Sequence, residues 1–343
     1  MLKLRKGIVS RVEPLRVRVG DEDRPAWADQ AMVGEMREGD EVIVNTEALD
    51  LELGSGGFDV VHVNLTRGLE AEGTHPATAM KLNYSSLQHP VEPIEAWDPG
   101  NGDGAAELRG IPVLVLGLHG QLAPAAWAAR RAGPDLRIGY VQTWGGGLPG
   151  RLSGAVARLR SAGLLCAHVT AGPTYGGELE ALTTVGALWA AAGPLGWDAA
   201  IVGPGPGIGG SGSALGHGGM AALESAHAAG ALGLETLLAP RMSERDPRDR
   251  HRGLSHHTAS VLHMLLSEVR VAAPADAPLE ELQTACEGRH ELWIREAPVG
   301  EYAATGLPAD HMGRGIAEDE LFFAAALAAG DGLAALASRE RVG

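Results

Sequence analysis

From residue 110 onward, short apolar runs alternate with helix-length, Ala-rich stretches, and this rhythm constrains the fold more than any other feature of the chain. "IPVLVLGL" precedes "LAPAAWAARRA", "LRIGYVQT" precedes "RLSGAVARLRSA", and "LCAHVTAG" precedes "ELEALTTVGALWAAAG". "WDAAIVGP" follows with a helix near "MAALESAHAAGA", then "GLETLLAP" with "HHTASVLHMLLSE". Short runs that are apolar throughout suit strands buried on both faces, and strands alternating with helices form a parallel sheet covered on both sides. The pattern predicts a doubly wound, mainly parallel, Rossmann-like α/β domain over 110–343. "VRVAAP" is a candidate sixth strand. The tail, with "LEELQTAC", a candidate strand "HELWIRE" and the helix "AEDELFFAAALAAGDGLAALA", packs onto this domain or joins copies into a homo-oligomer.

Residues 1–95 have a different period. "GIVSRVEPLRVRVG", "DEVIVNTEAL" and "FDVVHVNL" alternate apolar and polar residues, with "VGDEDRP", "REGDE" and "GSGG" between them as turns. This predicts a small antiparallel β-barrel or sandwich, closed by one or two further strands in "HPATAMKLNYSSLQHPVEPIEA". Residues 96–109, rich in Gly, Asp and Pro without periodicity, form a linker.

Composition excludes several classes of function. A formal net charge of −15, from 43 acids against 28 bases, and only 4% aromatic residues argue against nucleic-acid binding. Lys3, Lys6 and Lys81 are the only lysines, so there is no phosphate-binding loop of the G-x-x-x-x-G-K-S/T type. An amine for a Schiff base is absent beyond Lys81. Cys166, in "GLLCAHV", reads as a small buried hydrophobe, and with Cys286 as the only other cysteine there is no disulfide scaffold. "MLKLRKGIVS" lacks the apolar core of a secretion signal, and "LFFAAALAA" is short for a membrane span, so a cytoplasmic protein is expected.

In a doubly wound sheet, ligands bind outside the carboxyl ends of the strands. The segments that follow strands are "GLHGQLAP", "TWGGGLPG", "AGPTYGGE", "GPGPGIGGSGSALGHGG" and "PRMSERDPRDRHRGLSHHT", all polar, Gly-rich or long. The returns from helix to strand, "AGPDL", "AG", "GPLGW" and "GALG", are short turns. Long ordered loops gathered on one face mark that face as functional.

Gly occupies nine of the seventeen positions from 203 to 219. The G-x-G-x-x-G spacing of Gly205, Gly207 and Gly210 fails as a dinucleotide fingerprint, because Pro206 interrupts it and the helix starts later. Gly205, Gly207, Gly209 and Gly210 remain candidates to present backbone N–H groups to an anion, or to serve a tightly packed crossover. A serine nucleophile at Ser211 or Ser213 is not expected, since "GGSGSALG" is not a G-x-S-x-G elbow.

"SERDPRDRHRGLSHHT", residues 243–258, follows the fifth strand. Ser255 is the expected helix cap, which sets His256 and His257 in a first turn where the protonated form is disfavoured. Neutral imidazoles there suit acid–base work, as does His251. Arg241, Arg245, Arg248, Arg250 and Arg252 can hold a carboxylate or phosphate, while Asp246 and Asp249 orient them or a histidine. A solvated loop of internal ion pairs is the plainer alternative. His251, His256 and His257, with Asp249, match no metal-ligand spacing such as H-E-x-x-H, so no metal is assigned. His119 and His217 stand on neighbouring loops. Tyr175 is a candidate substrate contact, and Glu178 and Glu180 are read as opening a helix.

Several long stretches resemble a bacterial family of unknown function with members in actinobacteria and firmicutes. They are "GDEVIVNTEALDLELGSGGFDVV", "MKLNYSSLQ", "GLHGQLAP", "YVQTWGGGLP", "GPGPGIGGSG" and "DPRDRHRGLSHHT", spread over nearly the whole chain. The resemblance implies a β-rich N-terminal part joined to an α/β part, and it carries no catalytic role or cofactor. Two positions depart from the family pattern: Glu47, where Thr is usual, and Trp144, where a small acidic residue is usual. Trp144 would narrow a pocket on the second loop.

The sequence therefore predicts an enzyme acting on a small anionic molecule. Arg245, Arg248, Arg250, Arg252, the Gly loop, Tyr175 and His217 would bind it, and His119, His251, His256, His257, Asp246 and Asp249 would supply the chemistry. A non-catalytic ligand sensor or assembly protein is the alternative. The cofactor is left unassigned.

Overall fold

The structure, a computed structural model, describes residues 1–53, 56–69, 77–97 and 108–340. The chain divides into two compact units, Met1–Pro76 and Ala77–Gly343.

In the first unit β1 (Leu4–Arg11), β2 (Arg16–Val19), β3 (Glu22–Trp27), β4 (Glu41–Asn45) and β5 (Asp59–Asn64) close into a barrel of order β1-β2-β3-β5-β4. Two single-turn helices, α1 (Gln30–Val33) and α2 (Glu47–Asp50), lie between strands. All pairings are antiparallel except β3 with β5, which is parallel. Alternate residues fill the interior, Val9, Val17, Val42, Val44 and Val61 among them. The turn expected in "VGDEDRP" lies at Gly20 and Asp21, and the rest of the segment, from Glu22, opens β3. Its charges point outward and are paired, with the Arg24 Nε donating to Asp59 at 2.6 Å.

Residues 77–97 do not close the barrel. β6 (Ala79–Lys81) and β7 (His89–Val91) pair with each other and belong to the second unit. There the buried Lys81 ammonium donates to the Thr170 and Thr174 carbonyls and to Glu180, at 2.9, 2.7 and 2.7 Å. Residues 98–107 of the expected linker lie outside the described residues.

The second unit is built on eight parallel strands. These are β8 (Val113–Leu116), β9 (Ile138–Thr143), β10 (His168–Ala171), β11 (Leu179–Ala181), β12 (Ala199–Pro204) and β13 (Thr236–Ala239), with β16 (Arg270–Ala273) and β17 (Glu291–Ile294). Two short antiparallel ladders lie outside the sheet: β14 (Met242–Ser243) with β15 (Gly253–Leu254), and β18 (Asp310–His311) with β19 (Arg314–Gly315). The sheet order is β11-β10-β9-β12-β8-β13-β16-β17. All five expected strands are present, and "VRVAAP" and "HELWIRE" add β16 and β17.

Successive residues of each strand face opposite layers. Val113, Val115, Val141, Val202 and Leu238 pack under α5 (Thr184–Ala192), α6 (Ala221–Ala231), α7 (His256–Met264) and α8 (Leu279–Cys286). Leu114, Leu116, Ile138, Ile201 and Leu237 pack under α3 (Leu122–Ala132), α4 (Gly154–Ser161) and α10 (Glu320–Glu340). A five-residue helix, α9 (Val299–Ala303), precedes the tail ladder. By length and composition alone α10 could span a membrane, yet 89% of its apolar window is buried, chiefly on α3 and the sheet.

One expected helix starts late. Glu178 and Glu180 do not open α5, because Leu179–Ala181 joins the sheet edge as β11 and α5 begins at Thr184 behind its cap, Thr183. Glu178 accepts from Arg160 instead, and Glu180 from Lys81.

From β8 the chain moves to β9 and β10 on one side, and from β12 it moves past β8 to β13 on the other. The switch of direction lies at β12, β8 and β13, the position where such sheets open a crevice at their carboxyl ends.

Candidate functional site

The excursion 243–258 returns beside its origin. The β14–β15 ladder brings Ser255 to Arg241, whose carbonyl accepts from the Ser255 N–H at 2.9 Å. Ser255 caps α7 as expected, its Oγ accepting from His257 N–H at 3.2 Å. The Ser255 hydroxyl then donates to His251 Nδ1 at 2.7 Å. His256 and His257 occupy the first turn of α7, and His251 ends a short 3₁₀ turn, Asp249–His251.

The loop after β12 adds a fourth imidazole. The His217 ring stacks on His257 with centroids 3.7 Å apart and planes 8° from parallel, and stands edge-on to His256 at 5.5 Å. His251 lies 4.9 Å from His256 and 4.8 Å from His257. Four of the expected site histidines therefore form one cluster.

All four are held neutral. Burial lowers every one of them, and neighbouring groups add to it: His251 is pushed down to about 3 with Arg241 and Arg248 beside it, and His257 to about 2 with His217 and Arg241 beside it. His217 and His256 shift the same way. Arg241 is itself buried, its Nη1 donating to His257 Nδ1 at 3.2 Å. Burial pulls its guanidinium down to about 10, which leaves it charged at neutral pH.

Asp246 is the hub of an ion network, with no exposed surface. Arg248 forks onto it through Nε and Nη2, both at 2.9 Å, and Arg241 donates to it at 3.1 Å. Burial alone would raise the Asp246 carboxyl, but Arg248 and Arg241 outweigh it and hold the group well below the usual carboxylate range. Arg314 lies 3.5 Å away and is tied to Asp319, which also accepts from Ser243. Asp246 is thus a fixed counter-ion, the orienting role among those expected of it. Asp249 is exposed and pairs with Arg252.

The arginines separate into two kinds. Arg241 and Arg248 are committed to Asp246, and Arg252 donates to its backbone carbonyl at 3.2 Å. Arg245 and Arg250 are exposed, and their guanidinium groups have no hydrogen bond or ion pair among the described residues. Arg250 lies over Gly212, and its charge acts on His256.

The remaining candidates fall elsewhere. His119 donates through Nδ1 to the Pro204 carbonyl at 3.1 Å and accepts at Nε2 from the Ser153 hydroxyl at 2.7 Å, so both its ring nitrogens are engaged. Burial lowers it to about 4, and its ring neighbour is Tyr140. Tyr175 is buried on the loop after β10, 5.1 Å from the His89 ring. Trp144 donates to Glu224 at 2.6 Å, which holds it against α6.

Much of the glycine content has a packing cause. A Cβ on Gly218 would lie 1.8 Å from the Gly145 carbonyl oxygen, and one on Gly205 would lie 2.1 Å from that of Gly147. The loops after β9 and β12 interlock backbone against backbone, so Gly205 is a packing residue. Gly207 and Gly209 have open space where a Cβ would be, and Gly210 touches the His217 Cβ.

Unpaired polar atoms single this cluster out. Buried polar groups in folded proteins nearly always have partners. Of six buried side-chain nitrogen and oxygen atoms without a hydrogen-bond partner among the described residues, four are His217 Nδ1, His256 Nε2, Arg241 Nε and Arg314 Nη2, the last held only by its 3.5 Å ion pair with Asp246. A cleft of about 530 Å³ lies at the amino edge of the sheet, lined by Glu235, Arg270, His290 and Glu291. Its polar groups satisfy each other: Arg270 pairs with both glutamates, and His290 bonds the Val269 N–H and the Leu262 carbonyl. Chemistry favours the histidine cluster.

Arg314 and Asp319 are absent from the sequence reading because nothing in "HMGRGIAED" ties them to a segment seventy residues earlier. Ser153 escaped it as an ordinary helix cap, which it also is, accepting from Val156 N–H.

A family profile described as a protein of unknown function, DUF3866, matches residues 25–330. The chain belongs to the DUF3866 family. Comparison with curated proteins and with solved structures returns no match. The stretch shared with DUF3866 contains all four clustered histidines and both carboxylates of the ion network, Asp246 and Asp319.

Proposed function

We propose that this protein is an enzyme acting on a small anionic molecule, a phosphate or carboxylate, at the His217–His251–His256–His257 cluster. The observation that carries the reading is the concentration of unpaired buried polar atoms there, two of them on guanidinium groups and two on imidazoles. A desolvated donor or acceptor without a partner costs roughly 1–3 kcal/mol, and a ligand that pairs with it recovers that cost.

In this reading Arg250, exposed and unpaired, recruits the anion at the mouth of the site. Arg241 Nε and Arg314 Nη2 are the inner donors, oriented by Asp246. The neutral imidazoles offer lone pairs and N–H donors to the bound molecule, and a bound anion, by favouring the charged form, would raise their pKa toward the range in which they transfer protons. The position supports the assignment, since the cluster stands at the carboxyl edge beside the switch point of the sheet. A small molecule rather than a nucleic acid remains the partner, in keeping with the net charge of −15.

The test is consumption. The protein is incubated with a mixture of phosphorylated and carboxylated small metabolites, and the mixture is followed by NMR. Loss of one component, abolished in His256→Ala, is the expected result. A component that binds without being consumed would replace catalysis with sensing.

A further inference from the structure

We propose that His217, His256 and His257 hold a divalent first-row transition metal ion of the zinc class. The inference deepens the functional reading of the same cluster, rests on it for the role of the bound anion, and leaves His251, outside the ligand set, as the imidazole for proton transfer. One nitrogen from each ring lies within 4.8 Å of the others. In a tetrahedral zinc site with Zn–N bonds near 2.05 Å, ligand atoms stand about 3.4 Å apart, so ligation draws the three nitrogens together and tilts the His217 and His257 rings out of their parallel stack.

Hydrogen bonding fixes which atoms are available. The His217 Nε2–H donates to the Ala214 carbonyl at 3.0 Å, which places the free lone pair on Nδ1, and that atom is buried without a partner. A ligating histidine whose other nitrogen donates to a carbonyl is the common arrangement at metal sites. His256 Nε2 is likewise buried and unpartnered. His257 Nδ1 lies beside the same point: the position a Cβ on Gly219 would take is 2.9 Å from His217 Nδ1 and 3.4 Å from His257 Nδ1. That space adjoins a cavity of about 10 Å³ lined by Gly219, Arg241 and His257. Such a volume admits one water or small ion, and the larger anion would meet that ion from the open side of the cluster, where Arg250 is exposed.

Arg241 is the group that opposes a cation here, because it donates to His257 Nδ1. Ligation through that atom displaces this bond and leaves the guanidinium on Asp246, its fixed counter-ion. The ligand set is neutral, so an anion at the fourth position, facing Arg241 and Arg250, completes the charge balance. Three histidines and an open position make a catalytic rather than a structural arrangement. The spacing rules missed it because His217 lies about forty residues before the other two and reaches them only through the fold.

The experiment uses the whole chain, stripped with a chelator, dialysed and reloaded with zinc chloride alone. Metal is counted by mass spectrometry, and affinity is measured by calorimetry. Expected are about one zinc per chain and, after cobalt loading, the intense visible absorption of a four-coordinate site. His217→Ala and His256→Gln should each weaken zinc at least tenfold, while His263→Ala, an exposed histidine paired with Glu287, should not. Should either site variant fail to fold by circular dichroism, Gly219→Ala, which keeps every imidazole and fills the space between them, should show the same loss. No retained zinc, or zinc affinity unchanged in the site variants, overturns the metal. Phosphate stabilising a chain that takes up no zinc would remove the metal and leave the functional reading standing. Zinc bound with no effect of any anion would do the reverse.

Discussion

Replacing Asp246 by Asn tests whether the ion network is the foundation of the site. The carboxylate is fully buried, and each oxygen takes two donors: Oδ1 the Arg248 N–H and Nε–H, Oδ2 the Arg248 Nη2–H and the Arg241 Nη2–H. An amide nitrogen in either place turns N–H groups against N–H groups and leaves the buried Arg241 charge without its counter-ion. Removing one partner of a buried pair costs about 3–5 kcal/mol. For a domain of this size that lowers Tm by roughly 10 °C. Asp249→Asn is the control, because that acid is exposed and its bond to Arg252 is a surface pair, worth at most about 1 kcal/mol. Both variants are followed by thermal and urea unfolding with circular dichroism. If Asp246→Asn and Asp249→Asn lose the same small amount, Asp246 is not the hub that holds these arginines and the reasoning about the network fails.

Other consequences can be measured alongside. His168 is buried on Tyr140 with its Nε2–H on Gln142 at 3.1 Å, and burial lowers it from 6.5 to about 4. The unfolded chain takes up a proton there on acidification and the folded chain does not, so this contribution is complete above pH 6.5 and is lost as pH falls toward 4. The stability difference between wild type and His168→Gln should shrink by about 3 kcal/mol over that window; a constant difference would exclude the mechanism. Gly218→Ala forces a Cβ against the Gly145 carbonyl and should cost at least about 2 kcal/mol, whereas Gly209→Ala, into open space, should stay within about 1 kcal/mol. Equal urea midpoints for the two would show that the loops do not interlock.

What the sequence made legible was whatever depends on neighbours along the chain. The apolar runs of β8, β9, β10, β12 and β13 are long enough to declare buried strands, and the Ser255 cap followed from a polar residue placed before an amphipathic run. The concentration of long loops at one sheet edge also needed nothing beyond chain order. Elements fixed by tertiary pairing were not legible. β11 is three residues at a sheet edge, and β3 is the charged segment "EDRPAW", held by barrel closure and ion pairs. The site divides in the same way. His251, His256 and His257 were readable as a group because they share one segment. The stacking of His217 on His257 and the arrival of Arg314 and Asp319 from the tail are contacts between distant segments. Among the arginines, only the fold distinguishes Arg248, spent on Asp246, from Arg250, left free.

The most direct test of the central claim, that this cluster is an anion site, is thermal unfolding of wild type and Arg250→Ala with inorganic phosphate, pyrophosphate and small dicarboxylates. Arg250 is exposed and unpaired, so its loss should leave the unliganded stability within about 0.5 kcal/mol. An anion at 100 times its Kd stabilises wild type by about 2.7 kcal/mol, a rise in Tm of roughly 5–10 °C. The account predicts that at least one of these anions produces this rise and that Arg250→Ala largely loses it. No rise with any of them, or an equal rise in the variant, would contradict it.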